Sequence, residues 1–136
     1  MCGVSGIFSF DSTMSISPEI LKNMNTAQAH RGPDAEGYYF GDGIALGHRR
    51  LSIIDVSGGG QPMCSEDKKS VVVFNGEIFN HQEIADELRA KGYKYQTHSD
   101  TETILHAWRE WGTKCLDKLR GMFVFLIWDD SKKTLF

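Results

Sequence analysis

A cysteine stands directly behind the initiator and in front of a run of alternating small and apolar residues, Cys2-Gly3-Val4-Ser5-Gly6-Ile7-Phe8. Val4, Ile7, Phe8 and Phe10, with small residues between them, predict a strand, so the chain has to build its own beginning into a sheet with Cys2 at the strand's head. If Met1 is removed, which the small Cys2 side chain permits, a single residue carries both a thiol and a free α-amino group. A thiol of ordinary pKa is mostly protonated at neutral pH, whereas an α-amino group titrates near ~8 and can take that proton, directly or through one water. Nucleophile and base would then sit on one residue. The alternative is a cysteine that merely follows the initiator, and only the rest of the chain can decide between them.

A chain of 136 residues is one domain and can bury about two-thirds of its unfolded surface, enough for a true core. Its 15 basic and 18 acidic residues are spread along the sequence for a net charge of −3, and without a basic stripe nucleic acid is not an expected partner. The longest apolar run, residues 122–128, falls far short of the roughly 20 residues a bilayer requires. No charged and apolar leader opens the chain, so a cytoplasmic protein with no membrane partner is expected. Cys2, Cys64 and Cys115 are an odd number with no C-x-x-C pair, against a disulfide framework and against a zinc site. Cys64 and Cys115 are expected to be free thiols without a role.

Ser17-Pro18 predicts a helix start, with Ile20, Leu21, Met24 and Ala27 on one face and an end near His30. Arg31-Gly32-Pro33 breaks that helix into a tight loop. Residues 37–56 read as hairpin strands around a Gly41-Asp42-Gly43 turn. Ser57-Gly58-Gly59-Gly60-Gln61-Pro62 lacks the Lys-Ser/Thr of a phosphate loop and is expected to be a flexible surface loop. Val71-Val72-Val73-Phe74 is a buried-type strand, followed by a capping-box start at Asn80 and Glu83 and a second at Ser99 and Glu102. Residues 93–97 read as a short strand between these two helices, and residues 122–128 as a core strand that turns at 129–132 and begins to return. A returning strand cut short would leave an open edge, so a fragment of a longer protein is expected. Strands in hairpins and helices in blocks indicate α+β layers rather than βαβ units.

Three further sites have two readings each. Asn75-Gly76 ends a buried strand, where a side-chain amide and a backbone N–H could converge as an oxyanion hole; Asn-Gly is equally the commonest two-residue hairpin turn. Arg50, within an apolar strand, either grips a carboxylate bidentately or faces outward, and if it points inward its neighbour Arg49 must be the surface arginine. Asp100, in a first helical turn, either complements the helix dipole or receives an ammonium group. Thiol, oxyanion donors, anion binder and cation binder together fit an α-amino acid with a side-chain carbonyl.

Taken in order, Met1-Cys2-Gly3-Val4-Ser5-Gly6-Ile7-Phe8, His30-Arg31-Gly32-Pro33-Asp34, His48-Arg49-Arg50-Leu51-Ser52-Ile53-Ile54-Asp55, Asn75-Gly76-Glu77-Ile78-Phe79-Asn80, Ser99-Asp100-Thr101-Glu102 and Gly121-Met122-Phe123 resemble the glutamine-hydrolysing domain of the asparagine synthetase B family. The resemblance runs along essentially the whole chain and implies the N-terminal-nucleophile αββα sandwich, two antiparallel sheets between helical layers. It implies that Cys2 attacks the glutamine side-chain amide, that Asn75 and Gly76 hold the oxyanion, and that Arg50 binds the α-carboxylate. Asp100 with Glu77 would hold the ammonium, and backbone groups of Leu51, Ser52, Ile53 and Ile54 would line the pocket. Ser99-Asp100-Thr101-Glu102 with His106-Ala107-Trp108 and Trp111-Gly112 also resembles asparagine-synthetase-like enzymes of exopolysaccharide and exosortase systems.

Family members continue with an Arg-Asp-x-x-Gly-x-x-Pro-Leu stretch and an ATP-dependent synthetase domain. Residues 2–136 are therefore expected to be an incomplete class II amidotransferase domain, with neither metal nor cofactor of its own. ATP and Mg²⁺ belong to the implied full-length ligase, L-aspartate is the implied ammonia acceptor, and a homodimer is left open. The rival expectations are an amidotransferase of the same family with a sugar or polysaccharide carboxylate as acceptor, and a catalytically silent regulatory module.

Overall fold

The computed structural model describes residues 2–11, 15–51 and 59–136. Its elements are β1 (Gly3–Phe8), α1 (Pro18–Ala27), β2 (Ala35–Gly41), β3 (Ile44–Arg50), β4 (Met63–Cys64), β5 (Ser70–Ile78), α2 (His81–Ala90), α3 (Asp100–Trp111), a 3₁₀ turn at Gly112–Asp117, β6 (Gly121–Asp129) and β7 (Thr134–Leu135). One sheet has the order β1-β3-β2 and the other β4-β5-β6-β7, and every strand pair is antiparallel. The layers run helix, sheet, sheet, helices.

Strand alternation decides what each layer buries. Ile44 and Leu46 on β3 meet Val71, Val73 and Trp128 between the sheets, with Val4, Phe8, Tyr39 and Leu126 around them. Val72, Phe74, Ile78, Phe125 and Ile127 use the opposite face of β5 and β6 to pack on Ile84, Leu88, Ile104, Leu105, Ala107 and Trp108 of α2 and α3. At about 25 cal/mol per Å² of apolar surface removed from water, these two cores hold the sandwich together.

On α1 the buried residues are Leu21 and Asn25, while Ile20 and Met24 are exposed. This corrects the expected apolar stripe. The first sheet selects a polar residue here because Gly47 leaves room: a Cβ there would lie 3.0 Å from the Asn25 Oδ1. Asn25 is fully matched, accepting from Ser5 Oγ at 3.2 Å and donating to the His48 carbonyl at 3.1 Å. A buried amide so paired costs little.

Capping also differs from expectation. Neither Ser17 nor Asn80 makes a side-chain cap bond. Asn80 instead donates to the Lys118 carbonyl and accepts from the Arg120 N–H, both at 2.9 Å, which ties the start of α2 to the entry of β6. Ser99 does cap α3, accepting from Thr101 N–H at 3.2 Å. Its expected partner Glu102 reaches elsewhere, to the amides of Gln96 and Thr97 at 2.8 and 2.7 Å. Residues 93–97 are not a strand for that reason: two of their amides are turned onto a buried carboxylate.

β5 runs straight through Asn75-Gly76 to Ile78, paired with β6 as Asn75↔Val124 and Gly76↔Phe123. No hairpin turn occurs there. Of the glycine-rich stretch, residues 57–58 lie outside the described residues, but Gln61 is fastened to β5 and is not part of a loose surface loop. Cys2, Cys64 and Cys115 are all free thiols, Cys64 exposed and Cys115 buried.

Candidate active site

At one end of the sandwich the inter-sheet core gives out and polar side chains replace it. Gly3 stands opposite Arg49 and Val4 opposite His48, so one step further along both strands Cys2 comes level with Arg50. Ile44, Leu46 and His48 point between the sheets from β3, and the two-residue period carries Arg50 to the same side. Val4 and Phe8 do the same from β1, and Cys2 follows them. From β5, Val71 and Val73 face this space and are succeeded by Asn75 and Glu77. By strand parity Cys2, Arg50, Asn75 and Glu77 thus lie on the inward-facing side at the same end of the two sheets.

Direct contacts fix the Cys2 side. Leu51 N–H donates to Sγ at 3.4 Å, and the Arg31 Nε donates to the Cys2 carbonyl at 3.0 Å. Arg50 is anchored through its backbone, its carbonyl accepting from Asp34 N–H at 3.0 Å beside a bridge to Pro33. The 30–34 stretch therefore supports the site from outside. Arg49 points the other way, as alternation requires. It is not an exposed arginine, however: Nε donates to the Asn25 carbonyl at 3.0 Å and NH2 pairs with Glu36 at 2.8 Å, leaving the side chain 14% exposed.

Asp100 sits at the first residue of α3 and accepts from Ile78 N–H through Oδ2 at 3.1 Å. Its carboxyl is thereby drawn to β5, two residues beyond Gly76. Burial raises its pKa above the ordinary carboxylate value, opposed by that N–H and by the nearby His81. Glu77 is exposed. Ser52, Ile53 and Ile54 lie outside the described residues, so of the expected pocket-lining backbone only Leu51 is seen at Cys2.

His48 was not anticipated as a site residue. It is 1% exposed, and Nε2 bonds across the gap to the Phe74 carbonyl at 3.0 Å. A carbonyl only accepts, so Nε2 carries the proton in a neutral ring. Burial lowers its pKa to about 4, helped by the charge of Arg50 and opposed by the Phe74 carbonyl. The unfolded chain takes up this proton near pH 6.5 and the folded chain only near 4, so stability is full above 6.5 and falls as the pH drops toward 4. The gap between 6.5 and about 4 corresponds to about 3 kcal/mol. His106, also lowered by burial, adds to the same slope, and Asp100, raised, opposes it. Urea unfolding at a series of pH values should show this decline, and His48→Gln, which keeps a donor but cannot titrate, should remove most of it.

Two other clefts lie away from this end. One is lined by Ser65, Asp67, Trp108, Arg109 and Lys132, the other by Arg89, Tyr93 and residues 94–98. Each holds a hydroxyl on a carboxylate, Ser65 Oγ on Asp67 Oδ1 and Thr97 Oγ1 on Glu102 Oε2, both at 2.7 Å, but these carboxylates also accept the backbone amides of Lys69 and of Gln96 and Thr97, so the bonds fasten loops. Chemistry is therefore assigned to the Cys2 end.

The family model described as "Glutamine amidotransferase domain" matches residues 1–136. The chain is 45% identical to glutamine-hydrolyzing asparagine synthetase 1 of Bacillus subtilis (strain 168), over 100% of this chain and 22% of that protein. To glutamine-hydrolyzing asparagine synthetase B of Escherichia coli (strain K12) it is 39% identical, over 97% of this chain and 24% of that one. The chain thus spans about a quarter or less of the length of these relatives. Among solved structures it is similar to glutamine phosphoribosylpyrophosphate amidotransferase from B. subtilis, at TM-score 0.52 and 20% identity over 93% of this chain and 29% of that one. A structure titled as the allosteric regulatory enzyme of purine biosynthesis matches at TM-score 0.54 and 22% identity, with the same coverage of 93% and 29%. At such identity the likeness concerns the fold, which is the α+β N-terminal-nucleophile sandwich expected from the sequence. With a family model spanning its whole length and a thiol at the head of its first strand, the chain belongs to the glutamine amidotransferase domain family.

Proposed function

We propose that this chain is the glutamine-hydrolysing domain of an asparagine synthetase. The observation that carries the reading is the register that sets Cys2 level with Arg50 at the end of the two sheets toward which β5 carries Asn75 and Gly76. The free amine of Cys2 takes the thiol proton, and the sulfur attacks the carbon of the glutamine side-chain amide. Asn75 and the Gly76 N–H receive the negative charge on oxygen, where donors set in advance are worth more than in water. As the C–N bond breaks, the amine returns the proton to the leaving nitrogen and ammonia departs. Water then cleaves the glutamyl thioester, releasing glutamate and restoring the thiol.

Arg50 holds the substrate α-carboxylate, and Asp100 with Glu77 holds the ammonium. The backbone of Leu51 lies beside Cys2, its N–H on Sγ at 3.4 Å, and Ser52, Ile53 and Ile54 are assigned to glutamine binding by the family resemblance alone. Ammonia passes to a synthetase domain that amidates L-aspartate with ATP and Mg²⁺. Among the described residues no group of three or more His, Cys, Asp or Glu side chains could hold a metal ion. No helix among the described residues is long and apolar enough to cross a membrane.

The test is product analysis with the intact protein, supplied with glutamine, ATP and aspartate. Glutamate and asparagine should form together. Glutamate without asparagine would retain the glutaminase and require another acceptor; no glutamate at all would overturn the reading.

A further inference from the structure

Along β5 the even-numbered residues turn their backbone groups away from β6. Ser70 exchanges bonds with Ser65 at this edge, its N–H to Oγ at 2.9 Å and its carbonyl from N–H at 2.8 Å, and Val72 lies opposite Met63 of β4. β4 ends there as a partner. The next N–H on the edge, Phe74, is met instead by the Gln61 Oε1 at 2.6 Å, and the Phe74 carbonyl by His48 Nε2 at 3.0 Å. Four residues on, the Ile78 N–H is met by Asp100 Oδ2 at 3.1 Å. Midway between these two side-chain-bound amides is Gly76.

The two supports are themselves joined. Gln61 Nε2 donates to Thr101 Oγ1 at 3.4 Å, and Thr101 follows Asp100 directly. Phe74, Gln61, Thr101, Asp100 and Ile78 therefore form a closed frame that spans the Gly76 amide. Gly76 has φ +147° and no Cβ to restrain it, so its neighbours must fix where its N–H points.

We propose that Gln61 is a positioning residue for the reaction: by holding Phe74 and bracing Thr101 it aims the Gly76 N–H at the substrate oxygen. This rests on the glutaminase reading above. An oxyanion donor contributes only where it is set before charge develops, and a displacement of about 1 Å can cost on the order of a hundredfold in rate. Gln61 does not reach the α-carboxylate or ammonium binders directly, so ground-state binding of glutamine should be little changed by its loss.

The experiment compares Gln61→Met, Gln61→Glu and Thr101→Val in the intact protein by glutaminase kinetics, amide hydrogen exchange of the 72–79 segment and alkylation of Cys2. Gln61→Met, similar in length but without either bond, should lower kcat about ten- to a hundredfold with KM within about twofold. Exchange at Phe74 and Gly76 should quicken while Cys2 alkylation stays unchanged. Gln61→Glu keeps the acceptor for Phe74 N–H and should recover most of kcat; Thr101→Val removes only the brace and should fall between. An unchanged kcat in Gln61→Met, or a loss appearing in KM alone, would overturn the proposal while leaving the glutaminase intact. If the wild type releases no glutamate the functional reading fails, and the frame is judged by exchange alone: unaltered exchange at Phe74 and Gly76 in Gln61→Met refutes it, and faster exchange at both supports it.

Discussion

Cys2→Ala is expected to reduce glutamine hydrolysis by at least about ten-thousandfold, because losing an attacking group removes the covalent route altogether. The fold should survive the change. The Sγ makes one weak contact as acceptor, from Leu51 N–H at 3.4 Å, and the residue is only partly buried. The position of the strand head is held by other bonds, including Arg31 to the Cys2 carbonyl at 3.0 Å and the ladder from Gly3 onward. Alanine keeps both. In the intact protein, synthesis supplied with ammonium salt instead of glutamine should therefore continue at near its original rate. Measuring glutamate release and ammonia-dependent asparagine formation on the same preparation separates the outcomes. Equal loss of both would mean that Cys2 is structural, and persistent glutamate release would mean that another group attacks. The mass of the N-terminal peptide belongs with this measurement, since a retained Met1 would deprive Cys2 of its base and favour a silent module.

Much of the layering was legible because it rests on period-two alternation, which the sequence displays openly. The runs around 44–50, 71–74 and 122–128 each became a strand, and the parity that buries Ile44, Leu46, Val71 and Val73 also sets the direction of Arg50 and Asn75. His48 could have been found by the same reasoning, since it continues the inward series of Ile44 and Leu46. Gln61 and Arg31 could not. They act from loops whose course depends on long-range contacts, Gln61 with residues 74 and 101 and Arg31 with residue 2. Local capping rules failed at Asn80 for a related reason: a tertiary partner, the entry to β6, competed successfully for its amide.

Asn75-Gly76 shows how a two-residue pattern can mislead until its neighbours are known. In isolation the dipeptide suits a tight turn, yet here it stays in the ladder opposite Val124 and Phe123. The glycine is needed for closeness rather than for turning. With β6 passing so near, the backbone at residue 76 can be no bulkier.

Gly76→Ala is accordingly expected to be the most damaging small substitution outside the nucleophile. A Cβ built there would lie 2.2 Å from the Met122 carbonyl oxygen and 2.5 Å from the Phe123 Cα. Both are backbone atoms of a paired strand and cannot swing aside as a side-chain tip would. The φ of +147° adds strain that an L-residue meets and glycine does not, a cost of order 1–3 kcal/mol. β5 and β6 must part locally, and the N–H that lies between the Phe74 and Ile78 supports moves with them. A displaced oxyanion donor should lower kcat for glutamine by about a hundred- to a thousandfold, as removal of one such donor does. Ammonia-dependent synthesis in the intact protein should fall far less, because the strain is confined to the end of the sandwich. Cys2 should still react with a small alkylating reagent at close to the original rate, which separates a lost donor from a lost nucleophile. Retention of glutaminase activity within tenfold of the wild type, in protein shown to be folded by circular dichroism, would mean that the Gly76 amide takes no part in the reaction.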